Sequence, residues 1–211
     1  MLNRRTPGST RVRGFSLIEL MVALVVGLIV IGAVLALIVA IMKSNRETLQ
    51  ATRLNQELRA TMAVVAADIR RARGVPDPLT SATAAGGNPY KSVDTATAGC
   101  IRYGYFDTTD DDGNSNTDDD NYHALYLFNG KVRRASKNLF ADATCVLGAV
   151  GKQLGSDQVA ITDLTFTPAT TSATRREFEV TLTGHLVDND AALASISRTI
   201  KQTVFVRSVG E

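Results

Sequence analysis

The sequence predicts an α+β fold in which one long N-terminal helix packs on a mostly antiparallel β-sheet. Three observations support this prediction. An apolar run extends from Phe15 to Met42, and no proline occurs between Pro7 and Pro76, as an uninterrupted helix requires. Segments in which apolar and polar residues alternate begin at Cys100, and this period is typical of half-buried strands. We expect a lollipop shape, with the first half of the helix in a membrane.

The apolar run is long enough to cross a bilayer, because 28 helical residues extend about 42 Å. Glu19 is the one charged residue in it. A carboxylate at membrane depth costs a few kcal/mol and therefore needs a partner. Cleavage after Gly14 would give Phe15 a free amine, which could neutralise Glu19 in the same chain or in a neighbouring helix. The alternative is an ordinary signal anchor that tolerates a glutamate near its cytoplasmic end.

The residues before Phe15 form a basic leader without acidic residues. By the positive-inside rule the leader stays in the cytoplasm and the C-terminal part is exported. Loss of the leader changes the formal net charge from +2 to −2, so nothing suggests nucleic acid as the main partner. The basic residues of the leader are Arg4, Arg5, Arg11 and Arg13.

The segment Gly14-Phe15-Ser16-Leu17-Ile18-Glu19-Leu20 resembles the processing motif of type IV prepilins and of type II secretion pseudopilins. The resemblance implies that prepilin peptidase cuts after Gly14, that Phe15 is then N-methylated, and that Glu19 acts in assembly. It also implies a pilin-like lollipop inserted in the inner membrane. Its partners would be membrane lipid, an inner-membrane assembly platform, and other major and minor pilins through the N-terminal helix.

Beyond Met42 the sequence turns polar but keeps a helical period. Gly74 followed by Pro76 predicts the end of the helix. We therefore expect one helix from Phe15 to Arg73, roughly 88 Å long, whose second half packs on the globular domain. The apolar face of that half is Leu54, Leu58, Met62, Val65 and Ile69.

The remaining residues predict one β-rich globular domain, long enough for its own core. Residues 75–99 are predicted to be a long loop with at most one short element. Asn129-Gly130 predicts a type I′ hairpin turn. Strands are predicted at 100–106, 122–128, 131–134, 159–167, 178–186 and 196–206, the last broken near its middle. The expected organisation is leader 1–14, transmembrane and assembly half 15–42, amphipathic half 43–73 and periplasmic domain 74–211.

The chain has two cysteines, Cys100 and Cys145. In an exported domain an even number of cysteines predicts a disulfide. Closing a loop of this length would contribute about 3–4 kcal/mol in the chain-entropy description. Two unpaired buried thiols are the alternative.

Residues 107–120 hold seven aspartates. Oxygen ligands at alternate positions of a turning loop can bind one Ca²⁺, as the opening of an EF-hand loop does. Two departures weaken this comparison: Ser115 replaces the turning glycine, and Asn121 replaces the bidentate glutamate. The alternative is a solvated hairpin tip that keeps a strand edge soluble. The candidate ligands are Asp110, Asp112, Asn114, Asn116 and Asp118.

No enzyme is predicted, because the chain lacks a P-loop, a G-x-S-x-G motif and an H-E-x-x-H motif. His123 and His185 stand alone on predicted strands and are expected to be surface or strand residues.

The length, the Asp-rich segment before a Tyr-rich strand, and the hairpin ending in Lys131-Val132-Arg133-Arg134 resemble PilW-type minor pilins and the related J-type minor pseudopilin.

That resemblance implies a minor pilin at or near the filament tip, which primes assembly. It would pass from the inner membrane, where it is single-pass with a periplasmic C-terminal domain, to the pilus at the cell surface. Two alternatives remain open. One is a minor pseudopilin of a type II secretion system, and the other is a monomeric, membrane-anchored calcium-binding or adhesive module.

Overall fold

The structure, a computed structural model, describes residues 14–107, 121–146, 148–168, 177–188 and 190–206. It divides into two compact units, one up to Thr48 and the other from Leu49 onward. The long first helix, α1 (Leu17–Arg71), contributes residues to both.

In the first unit α1 presents apolar side chains to the outside over most of its length. Its first turn is closed by Ser16, whose carbonyl accepts hydrogen bonds from the N–H groups of Glu19 and Leu20, both at 3.1 Å. The 18-residue window that best fits a membrane span has a mean hydropathy of 3.3, and none of it is buried. By length and composition this helix can cross a membrane.

The C-terminal end of α1 differs from the prediction. The helix ends at Arg71 rather than Arg73, and Arg73 adopts a left-handed conformation with φ 64°. This strained residue is held by its neighbours, because its N–H donates to the Gly104 carbonyl at 2.7 Å and its carbonyl accepts from Asn88 at 2.9 Å. Gly74, which with Pro76 predicted the end of the helix, is tightly packed: a Cβ there would lie 2.9 Å from the Arg71 carbonyl oxygen.

The second unit contains two antiparallel sheets, so the α+β prediction is confirmed, although one sheet was expected. The structure has a short strand at residues 152–154 that the sequence pattern did not predict. Its last strand is continuous, whereas a break near the middle was predicted. The first sheet has the order β1 (Cys100–Gly104), β2 (Tyr122–Phe128), β3 (Lys131–Lys137) and β4 (Lys152–Leu154), and the second β5 (Val159–Pro168), β6 (Glu177–Leu186) and β7 (Ser197–Phe205). Two short helices, α2 (Pro78–Thr83) and α3 (Ala191–Ala194), lie in the connections.

The turn between β2 and β3 has the predicted chemistry. Asn129 and Gly130 both have positive φ, 49° and 71°, as a type I′ turn requires. The same turn joins the two sheets, because the Gly130 carbonyl accepts a hydrogen bond from the N–H of Ile161 at 2.8 Å.

The core of the second unit is shared by α1 and both sheets. All five predicted apolar residues of the amphipathic helical segment are buried. Leu58 packs so close to Gly184 that a Cβ at Gly184 would lie 3.1 Å from Leu58 Cδ2. Sheet residues that complete this core include Ile101, Leu125, Val132, Leu164, Phe178 and Leu182.

We expect Leu58→Ala to lower the free energy of unfolding of the second unit by about 2–5 kcal/mol, because it leaves a cavity in a packed core. Urea unfolding of the full chain in detergent, followed by tyrosine fluorescence, measures this. Leu49→Ala, on the same helix but 70% exposed, is the control and should change stability by less than about 0.5 kcal/mol. Equal losses in both variants would contradict the assigned core.

Candidate functional site: the processing segment and a buried charge cluster

The residues around the predicted cleavage site lie at the start of α1. Phe15, just before the helix, is 84% exposed. The N–H of Ser16 lies 3.5 Å from Glu19 Oε2, at the long limit of a hydrogen bond. Ser16 and Glu19 have the spacing of a capping box, and a carboxylate in the first turn also suits the positive end of the helix dipole. Among the described residues Glu19 thus makes one weak local contact, which leaves its carboxylate able to accept a stronger donor.

The second unit contains a buried carboxylate at the end of α1. Asp68 is 8% exposed, and its two oxygens accept three hydrogen bonds. Oδ2 accepts from the hydroxyl of Tyr103 and from Arg134 Nε at 2.9 Å. Oδ1 accepts from the hydroxyl of Tyr105 at 3.0 Å. Because these donors come from β3 and from β1 with the residues after it, Asp68 fixes the helix end to the first sheet.

Arg134 is the cation of this group. From NH2 it donates to the Tyr105 hydroxyl at 2.7 Å and to His123 Nδ1 at 3.2 Å. Its NH2 also lies 3.7 Å from Asp107 Oδ2. We name Asp68, Tyr103, Tyr105, Asp107, His123 and Arg134 the Asp68 cluster. Arg71 covers it from outside, with its guanidinium 4.1 Å from the Tyr105 ring centroid and NH2 3.6 Å from Asp107 Oδ2.

Burial sets the protonation states in the cluster. Burial, reinforced by the nearby Asp68 charge, raises the pKa of Tyr103 well above its usual value and also raises the pKa of Tyr105. Both phenols therefore remain hydrogen-bond donors. Burial, followed by the Arg134 charge, lowers the pKa of His123 to about 4. His123 is thus neutral at pH 7, and because Nδ1 accepts from Arg134 we assign its proton to Nε2.

The cluster holds the end of α1 and the first sheet together through hydrogen bonds and ion pairs. It also borders the Ser136 hydroxyl, 2.9 Å from His123 Nδ1, and the described residues contain no group of three metal-ligating acids, histidines or cysteines. Its position is nonetheless informative, because it lies at the base of the aspartate-rich segment. There the N–H groups of Tyr105 and Asp107 donate to the carbonyl and side-chain oxygens of Asn121, at 2.9 and 2.7 Å.

The candidate calcium ligands lie outside the described residues, and the calcium hypothesis stays a prediction. They are Asp110, Asp112, Asn114, Asn116 and Asp118.

The two cysteines form a disulfide, as the sequence predicts. Cys100, the first residue of β1, is bonded to Cys145 in the loop after β3. The disulfide attaches this loop to the outer face of the first sheet. On that face Ala124, Tyr126 and Ala135 form a small second core with Cys100.

Sequence reasoning missed the Asp68 cluster, although one signal was present. Asp68 lies three residues after Val65 and beside Ile69, at the margin of the buried helical face. A charged residue at such a position requires a partner. The sequence does not identify that partner, because Arg134 is 66 residues away. His123, expected as a surface or strand residue, is on β2 and fully buried.

The comparisons with known proteins agree with this architecture. The family model of prepilin peptidase-dependent protein B matches residues 47–206. The chain belongs to this family. The prokaryotic N-terminal methylation motif matches residues 9–35. No curated protein and no solved structure matches the chain.

These matches establish a prepilin-like pilin that prepilin peptidase cleaves. Both families are prepilin-type structural proteins, which are substrates and not enzymes. The motif and the apolar part of α1 are consistent with an anchor in the inner membrane.

We expect the second unit to lose stability as the pH falls from about 6.5 to 4, because the unfolded state binds a proton at His123 that the folded state excludes. The groups facing this ring are Arg134, Tyr103, Tyr105 and the nearby charges of Asp68, Asp107 and Arg71.

Urea unfolding of the full chain at a series of pH values measures this effect. The control is His123→Phe, which keeps the ring volume and cannot titrate. The difference between the two stability curves should slope by up to about 1.4 kcal/mol per pH unit in this window. Parallel curves would show that His123 does not titrate differently in the two states.

Proposed function

We propose that this chain is a minor type IV pilin that is cut between Gly14 and Phe15, N-methylated at Phe15 and built into a pilus near its tip, where it primes assembly. The observation that carries the proposal is the start of α1. An apolar helix with exposed side chains bears one carboxylate, Glu19, in its first turn. Such a surface needs lipid before assembly and other apolar helices after it.

The proposed role of Glu19 follows from its weak local partner. A carboxylate that leaves water for an apolar bundle needs a strong donor, and the Ser16 N–H at 3.5 Å is not one. The amine that cleavage creates at Phe15 carries a positive charge and hydrogen-bond donors. In a bundle of identical or related helices it can meet Glu19 of a neighbouring subunit.

The size and loop content of the second unit favour a minor subunit over a major one. Because the positive-inside rule keeps the basic leader in the cytoplasm, this unit faces the periplasm and, in the filament, the outside. Its partners in this proposal are prepilin peptidase, the inner-membrane assembly platform and other pilins. A minor pseudopilin of a type II secretion system shares every feature of α1, and the neighbouring genes distinguish the two.

The decisive measurement is the mass of the N-terminal peptide from native, membrane-extracted protein. We expect a peptide that begins at Phe15 and carries one added methyl group on its amine. A peptide that still begins at or near Met1 would mean an uncleaved anchor. The hypothesis of a calcium-binding or adhesive module would then explain the chain better.

We expect Glu19→Ala to leave cleavage largely intact and to reduce the amount of this chain in sheared filaments. The reduction should be about tenfold or more, because a hydrogen bond to a charged group contributes about 1.5–3 kcal/mol. Immunoblots of sheared filaments and of membranes measure incorporation and cleavage separately. Leu20→Ala, a neutral change in the same turn, is the control, and wild-type incorporation of the Glu19 variant would rule out the assigned role.

A further inference from the structure

The loop that joins β3 to β4 is held firmly at its main chain. We name its residues 138–146 and 148–151 the clamped loop. Arg102 of β1 donates from Nε to the carbonyl of Ala143 at 2.6 Å and from NH2 to that of Phe140 at 2.5 Å. Its guanidinium also lies 4.3 Å from the centroid of the Phe140 ring. One charged side chain thus fixes the first half of the loop.

A second arginine fixes the other half. Arg133 of β3 donates from NH1 to the carbonyls of Ala149 and Gly151, at 2.9 and 2.8 Å. The hydroxyl of Tyr126 donates to the Gly148 carbonyl at 3.2 Å. With the disulfide between these two regions, the loop is tied to the sheet covalently as well. A partner that binds it would therefore order little main chain, which reduces the entropic cost of binding.

The clamped loop nevertheless directs apolar side chains outward. Leu139, Val146 and Val150 are 58%, 89% and 57% exposed. Single exposed apolar residues are ordinary on protein surfaces. On a loop held by two arginines, a tyrosine and a disulfide, these side chains are carried by main chain that is already ordered, so packing against them would cost little conformational entropy.

Beside Val150, the edge of the first sheet is left open. β3 continues to Lys137, but β4 pairs only with the residues from Val132 to Arg134. The Arg134 carbonyl faces Gly151, because a Cβ there would lie 2.8 Å from that oxygen. Main-chain groups of alternate residues point to the same strand edge. The N–H and carbonyl of Ser136 therefore face the open edge, where no described residue continues β4.

This edge lines a cleft with a positive charge. The cavity has a volume of about 400 Å³ and is lined by residues 134–137 and 150–152. Arg134 is neutralised by Asp68, whereas Lys137 and Lys152 have no ion-pair partner in the described part of the chain. Open strand edges are known binding sites for extended segments, lysines without ion-pair partners favour acidic side chains, and Val150 offers an apolar contact.

We propose that the clamped loop and this cleft form the docking surface for an extended, acidic segment of another subunit of the same filament. Its main chain pairs with Ser136, its carboxylates meet Lys137 and Lys152, and an apolar side chain packs against Val150. The identity of the partner as a filament subunit rests on the proposed function.

Photocrosslinking in cells of the native host tests the surface. The full chain replaces the native copy and carries a benzophenone amino acid in place of Val146, or in place of Thr203 on the exposed face of β7 as a control. We expect the Val146 position to form an adduct with another filament subunit, mapped by mass spectrometry to an acidic segment. An adduct with a second copy of this chain or with a protein outside the filament, or equal adducts from both positions, would overturn the proposal.

Two pairs of variants test the contacts within the cleft. Ser136→Pro removes the main-chain donor, whereas Ser136→Ala keeps it and removes only the contact of the hydroxyl with His123, 2.9 Å away. Reversing both lysines, Lys137→Glu with Lys152→Glu, is matched by Arg59→Glu on α1 with Arg198→Glu on β7, two exposed cations away from the cleft. We expect Ser136→Pro and the lysine reversal to reduce the adduct about tenfold or more, since they remove the strand pairing or place like charges across the interface.

The matched controls should leave the adduct near the wild-type level, and equal losses within either pair would overturn the assigned contacts. Disulfide formation and protease resistance confirm that each variant is folded. Failure of the proposed function has a separate signature, namely an uncleaved chain that is absent from sheared filaments. A cleaved chain in filaments without an adduct from the Val146 position would overturn this inference alone.

Discussion

The end of α1 is held in place by a buried carboxylate that cannot be left unpaired. Removing the partners of Asp68 would leave a charge in a low-dielectric interior, at a cost of several kcal/mol. The two tyrosines and the arginine that satisfy it come from β1, from the residue just after it and from β3. One side chain thus sets how the helix end, the first sheet and the base of the aspartate-rich segment lie together. Arg71 then covers the group and shields it from solvent.

The first half of α1 obeys the opposite constraint. Here apolar side chains are exposed along the helix, and the single acid lies in its first turn. Water disfavours such a surface, so this part of the chain is stable in lipid or against other apolar helices. The family matches identify a prepilin-like pilin that prepilin peptidase cleaves, and the apolar part of α1 is consistent with an anchor in the inner membrane. The two units therefore have different requirements. The buried charge of the second unit is satisfied by other residues of the chain, whereas the apolar surface of the first unit is satisfied only by lipid or by other helices.

The first sheet has two faces with different tasks. Its inner face packs on α1 and ends in the Asp68 cluster, and its outer face is covered by the clamped loop. Alternation along β3 explains the division, because Val132 and Arg134 point inward while Arg133 points to the loop. Two adjacent arginines thereby act in unrelated ways, one as the counter-ion of a buried aspartate and the other as a donor to loop carbonyls.

Features that depend on neighbouring residues could be predicted from the sequence. The processing motif, the apolar span, the helical face from Leu54 to Ile69 and the Asn129-Gly130 turn are all properties of neighbouring residues, and each was readable without coordinates. Features that depend on residues far apart in the chain were visible only in the folded protein. These features are the pairing of Asp68 with Arg134, the burial of His123, the end of α1 at Arg71 and the position of β4 beside β3. The physical reason is that a buried charge or a strained backbone is tolerated only where distant groups satisfy it, and periodicity carries no information about which groups those are.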